Sequence, residues 1–163
     1  MTDNDAHRHS SPLFPFLYEI PADIAARPDL LDAARATVRA RLRWLESEEN
    51  DGEMAFGLAM PGWAAAHLGM AQEAERLVLR MARSYVLPSM VTTHNIRDLL
   101  NVDIGGGFPA LIAEMLVQSS RGWVALLPAL PRRWRRDASP ICTAAGRWSC
   151  PSSAGTATVS RRC

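Results

Sequence analysis

Apolar positions recur with a helical period in four stretches of the chain. In "PDLLDAARATVRARLRWLES", Leu31, Ala34, Val38, Leu42 and Leu45 fall on one face, while Arg35, Arg39 and Arg43 fall on another. Pro28 and Asp29 open that helix. A second apolar helix runs from Met54 to Leu68, bent at Pro61 and closed by Gly69 in the left-handed position that ends such elements. The turn "EENDG" separates these two. The third helix, "MAQEAERLVLRMARSY", turns Ala74, Leu77, Val78, Met81 and Tyr85 inward and makes a short-looped hairpin with the second. Pro109 is predicted to open a fourth, because its missing N–H would be unpaired there anyway. Leu111, Ile112, Met115 and Leu116 supply the buried stripe.

Between these stretches the pattern breaks. Residues 10–27 are apolar but interrupted by Pro12, Pro15 and Pro21, so they read as an extended loop pinned to the core. Residues 86–107 read mostly as loop, and "WVALLPALP" as a short strand-like piece ended by prolines. The sheet signal is too weak for an α/β class. The expected class is all-α, with alternating long and short helices stacked as pairs in a ring or solenoid. After Pro131 neither period survives, so residues 1–131 are expected to form the folded body. Residues 132–163 are expected to be a low-complexity tail, disordered or translated out of frame.

Composition sharpens that division. The chain has 163 residues, enough for one domain, and 48% are apolar, enough for a core. It contains no lysine. Residues 1–131 carry 11 arginines against 16 acids, a net −5, whereas residues 132–163 carry 7 arginines and one acid, a net +6. No stretch approaches a membrane span, and "MTDNDAHRHSSP" lacks a signal peptide's hydrophobic region, which places the chain in the cytoplasm by default. Cys142, Cys150 and Cys163 all lie in the tail and fit neither a zinc site nor a disulfide framework. No metal or other cofactor is implied, and no membrane partner.

Candidate chemistry concentrates in "NVDIGGGFPALIAEMLVQS", residues 101–119. Asp103 stands ahead of three glycines and a helix start, where the helix's positive end favours an ionised carboxylate. It is either an acid at a floor kept bare for a ligand, or a capping or loop acid. The glycine run lacks the lysine and spacing of a phosphate loop. His7 and His9 can hydrogen-bond a ligand, form a solvated pair, or weakly chelate a metal. Trp44, Met60 and Trp63 at helical positions read as core before ligand platform. His67, near a helix end, reads as a C-terminal capping group. "RRWRR" could attract phosphates, but it stands where all pattern is lost, and no nucleic-acid partner is expected. A reading-frame shift shortly after Trp134 is expected to account for that loss. Translating the DNA in the other two frames is then expected to restore an alternating apolar pattern.

Three segments, in order, resemble the C-terminal part of the catalytic domain of glycoside hydrolase family 95, the α-L-fucosidase family. They are "HRHSSPLFPFLYEI", the hairpin from Met54 to Arg83, and "TTHNIRDLLNVDIGGGFPALIAEMLVQSSRGWVALLPALP". The likeness covers roughly residues 5–134. It implies a partial (α/α)6 barrel, an incomplete toroid of helix pairs, and an inverting hydrolase of α-linked fucosides or related sugars. By resemblance Asp103 falls on the catalytic aspartate that activates water. His7 and His9 fall on a substrate-binding segment, and His94 falls near a pocket histidine. The family's asparagine after the aspartate is absent, Pro12 replaces a histidine, and the general-acid glutamate lies before the part this chain resembles. The resemblance therefore implies a carbohydrate substrate, a missing N-terminal half as partner, and no activity alone. A small helical carbohydrate- or partner-binding module without catalysis is the alternative.

Overall fold

The computed structural model describes residues 9–47, 50, 53–120, 122–136 and 147–149. A 3-10 helix, Ser11–Phe16, precedes the single turn α1 (Ala22–Ala25) and then α2 (Pro28–Leu45), α3 (Ala55–His67) and α4 (Ala71–Ser84). An antiparallel hairpin of β1 (Thr93–Asn95) and β2 (Asp98–Leu100) leads into α5 (Val102–Leu116). Strands β3 (Val117–Ser120), β4 (Trp123–Leu126) and β5 (Arg147–Ser149) form an antiparallel sheet in that order, and Arg132–Arg136 is a second 3-10 helix. The chain is mostly helical, as its pattern predicts. Its two small sheets were not predicted beyond the Trp123 strand, because strands of three or four residues are too short to show alternation. Residues 137–146 and 150–163, which make up most of the tail, lie outside the described residues.

Helix α3 is the hub. It packs against α2, α4, α5 and the first 3-10 helix, and its buried residues encircle it, from Ala55 and Leu58 to Ala64, Ala65 and Ala66. Small side chains let neighbours come close. A Cβ on Gly62 would sit 2.6 Å from Cδ2 of Leu111, which is itself fully buried in α5. Helix α3 runs through Pro61 and ends where Gly69 takes φ +72°. There Met70 N–H donates to Ala65 O at 2.8 Å and Gly69 N–H to Ala66 O at 3.3 Å, the paired bonds of a glycine-closed helix end. The predicted faces hold for α2, which buries Ala34, Val38, Leu42 and Leu45, and for α4, which buries Ala74, Leu77, Val78 and Met81.

The start of α5 departs from the pattern. The helix begins at Val102, not at Pro109, so Asp103 and the three glycines are helical and Pro109 lies inside. Asn101 supplies the reason, since its side-chain Oδ1 accepts from Ile104 N–H at 2.9 Å and caps the helix ahead of them. The hairpin braces that cap. Asn101 N–H donates to Thr92 O at 2.9 Å, and Thr92 Oγ1 donates back to Asn101 O at 2.6 Å. At the far end, Gln118 Nε2 donates to Ala66 O at 3.2 Å and Glu114 O at 3.1 Å, tying the ends of α3 and α5 together.

A buried carboxylate joins the loop before α3 to α4. Glu53, 8% exposed, accepts from Arg80 Nε at 2.9 Å, Tyr85 OH at 2.8 Å and Asn50 Nδ2 at 2.6 Å, with Arg80 Nη2 also on Oε2. Burial first, and then the bond to Glu53, push the Tyr85 phenol well above its ordinary value. The unfolded phenol ionises near pH ~10, so above that pH the unfolded state holds fewer protons and stability falls as pH rises. The chain has no lysine, so no lysine ammonium titrates across this range. Urea midpoints are expected to drop between about pH 9 and pH 11, and Tyr85→Phe is expected to flatten that slope.

A candidate sugar-binding cleft

A hollow of about 380 Å³ opens where the first 3-10 helix meets α3, walled by His9, Phe14, Tyr18, Phe56, Met60 and Trp63. Leu13, Phe16 and Leu17 sink into the core and anchor the segment, which leaves Phe14 and Tyr18 turned outward. Proline at the start and inside this turn suits a 3-10 helix too short to need the lost donors. Arg41, buried on α2, reaches across and donates to the His9 carbonyl at 3.2 Å. The His9 ring stands edge-on to Phe56, with centroids 5.8 Å apart. Such a wall of aromatic faces with one imidazole suits a ligand with both C–H faces and hydroxyls.

Asp103 connects to this hollow through its own helix. It is exposed in the first turn of α5 and makes no hydrogen bond or ion pair among the described residues. Capping falls to Asn101, so the capping explanation for Asp103 is gone. Gly107, one turn on and on the same face, is buried where a Cβ would lie 3.5 Å from the Trp63 ring. Trp63 therefore walls the hollow and also packs against α5 at Gly107, one turn after Asp103. Its Nε1 is buried and finds no partner among the described residues.

The three glycines divide by role. A Cβ on Gly105 would come 3.2 Å from Thr92 Oγ1, and Gly107 faces Trp63. Gly106 would meet nothing within 4 Å, so no packing requires it to be bare. An exposed helical glycine costs roughly 0.5–1 kcal/mol relative to alanine. Gly106→Ala is expected to stabilise the chain by about that amount, read as a higher urea midpoint.

The other expected site residues are placed as follows. His94 is half-buried on β1, its Nδ1 2.9 Å from Asn95 Oδ1, a geometry in which Nδ1–H donates. β1 packs on both α3 and α5. His7 lies outside the described residues. His67 points into the protein rather than over its own helix end, with Nε2 3.3 Å from Glu114 Oε2 but not in hydrogen-bond geometry. Burial lowers the imidazole's pKa and raises that of Glu114, favouring the uncharged pair, and Gln118 serves the carbonyls instead. Among the described residues no group of three His, Cys, Asp or Glu gathers to hold a metal. No helix there is long and apolar enough to cross a membrane.

Sequence reasoning missed the aromatic rim, since Phe14 and Tyr18 sit in a proline-broken stretch with no period to orient them. A second hollow, about 320 Å³ between α2 and α4, carries Arg76, Arg80 and Arg83. Two of these guanidiniums are already engaged by Glu46 and Glu53.

The model of the glycosyl hydrolase family 95 catalytic domain matches residues 1–116. The chain belongs to this family. Alpha-L-fucosidase 2 of Arabidopsis thaliana is 31% identical over 143 residues, a match that covers 77% of this chain. The chain spans only 15% of the length of that curated relative. No solved structure matches it.

Proposed function

We propose that the chain is the C-terminal portion of an inverting glycoside hydrolase acting on α-L-fucosides or related sugars, and that it is inactive alone. In this reading its helix pairs are the last members of an (α/α)6 ring supplied by residues 1–131, and residues 132–163 are not part of that ring, although Arg132–Arg136 forms a 3-10 helix and β5 pairs with β4. The observation that carries it is Asp103: exposed, uncommitted, at the positive end of α5, and one turn from the Trp63 wall of the hollow. Support for the substrate class comes from the family and from the name of the Arabidopsis relative.

Inverting hydrolysis needs a base for the attacking water and an acid for the leaving oxygen, about 6.5–9.5 Å apart. Asp103 takes the base role. His9 and His94, with His7 by resemblance, bind sugar hydroxyls, and the aromatic rim takes the apolar face. The acid comes from the part of the domain this chain does not contain. The aromatic hollow by itself favours a second reading, sugar binding without catalysis.

Two preparations test the proposal. The purified chain is expected to give no turnover of an aryl α-L-fucoside, whereas the same chain joined to the rest of the relative's catalytic domain is expected to release β-L-fucose. Turnover by the lone chain at the rate of the full-length relative, or release of the α-anomer by the joined form, would overturn it.

A further inference from the structure

We propose that Thr92 is a positioning residue for Asp103, its hydroxyl fixing the first turn of α5 and so aiming the carboxylate. The inference rests on the reading that Asp103 is the base. Asp103 makes no hydrogen bond or ion pair among the described residues, so its aim is set by the backbone beneath it. That backbone is pliable by composition. Gly105, Gly106 and Gly107 follow in the same helix, and Pro109 has no N–H to return to the Gly105 carbonyl four residues back.

One oxygen atom steadies this turn on both flanks of the carboxylate. Thr92 Oγ1 donates to Asn101 O at 2.6 Å, two residues before Asp103. The same Oγ1 lies where a Cβ on Gly105, two residues after Asp103, would come within 3.2 Å. The Thr92 carbonyl adds a third hold by accepting Asn101 N–H at 2.9 Å, and Asn101 then caps Ile104. Thr92 can serve as a fixed point because it is itself seated. It is 9% exposed and bridges to Val86. Its neighbour Thr93 is buried and donates both its N–H, at 2.9 Å, and its Oγ1, at 3.2 Å, to Tyr85 O. Tyr85 is in turn fully buried, with its hydroxyl on Glu53 at 2.8 Å. The aim of Asp103 is thus referred to the end of α4 as well as to its own helix. A base that must meet a bound water is sensitive to such aim, since a misplacement of about 1 Å can cost ~10²-fold in rate.

The test uses the joined catalytic domain and steady-state hydrolysis of an aryl α-L-fucoside. Thr92→Val keeps the side chain's shape and removes its donor, and it is expected to lower kcat about 10–100-fold with KM within about twofold of the parent. Thr92→Ser keeps the donor and is expected to stay within about threefold of the parental kcat. Gly105→Ala presses on the hydroxyl from the other side, so it is expected to lower kcat without lowering the urea midpoint, and it stands in if Thr92→Val fails to fold. Asp103→Asn is the reference. If that variant keeps its turnover, the catalytic reading falls and takes the positioning role with it. If it loses turnover while Thr92→Val or Gly105→Ala keeps the parental kcat, only the positioning role is overturned. A lowered urea midpoint in such a Thr92→Val variant would then mark the hydroxyl as a brace of the fold alone. A serine variant as slow as the valine variant overturns the role as well.

Discussion

Replacing Glu53 by alanine is expected to destabilise the chain by about 3–5 kcal/mol, a large share of the ~5–15 kcal/mol that holds a typical domain together. The carboxylate accepts from three side chains in three places: Asn50 in the preceding loop, Arg80 in α4 and Tyr85 just after it. Truncation leaves the fully buried Tyr85 hydroxyl with nothing to bond and strands a guanidinium that is only a third exposed. A glutamine in its place would keep the shape and one acceptor oxygen, so Glu53→Gln should cost clearly less. Adding Tyr85→Phe to Glu53→Ala should recover part of the loss, because the orphaned hydroxyl is then absent. Urea unfolding followed by circular dichroism checks all three, and equal stability of Glu53→Ala and the parent would refute the account.

Asp103→Asn in the completed catalytic domain is expected to lower turnover of an aryl α-L-fucoside by about 10²–10⁴-fold, the range for loss of a general base. The substitution nearly preserves shape. Asp103 carries no hydrogen bond among the described residues, and the cap is made by Asn101. Stability should therefore change by only a few tenths of a kcal/mol, from the weakened attraction to the helix end. That split separates a base from a structural acid. A variant that keeps its turnover, or that loses turnover and stability together, would remove Asp103 from the chemistry.

Much of this fold could be read from the residues. The α4 stripe of Ala74, Leu77, Val78 and Met81 is a strong 3.6-residue period, and a helix with one wet face has little choice of how to lie. The start of α5 was not legible, because three glycines and Pro109 all argue locally against helix. What overrode them is tertiary: the Asn101 cap, the Thr92 brace, and glycines that let Thr92 and Trp63 close in. Glu53 was hidden because an acid before an apolar helix reads as a partner of the helix end, and nothing local announces Arg80 or Tyr85. Asp103 stood out through resemblance and its glycine neighbours, not through periodicity. The hollow's rim did not, since exposure of Phe14 and Tyr18 follows from how Leu13, Phe16 and Leu17 are anchored.

The two kinds of mounting at the cleft have different evolutionary prospects. Asp103 rides on a rod seated in the interior by the close fit of Leu111 against Gly62, about eight residues or 12 Å along the helix. Any drift in that seat swings the carboxylate, so in the proposed reaction selection reaches deep into the interior. His9 instead hangs from the grip of Arg41 on its carbonyl. A lineage can re-aim the imidazole end of the cleft by altering such contacts of a loop segment, the Arg41 bond and the Phe56 ring among them, and leave the helix that carries Asp103 untouched.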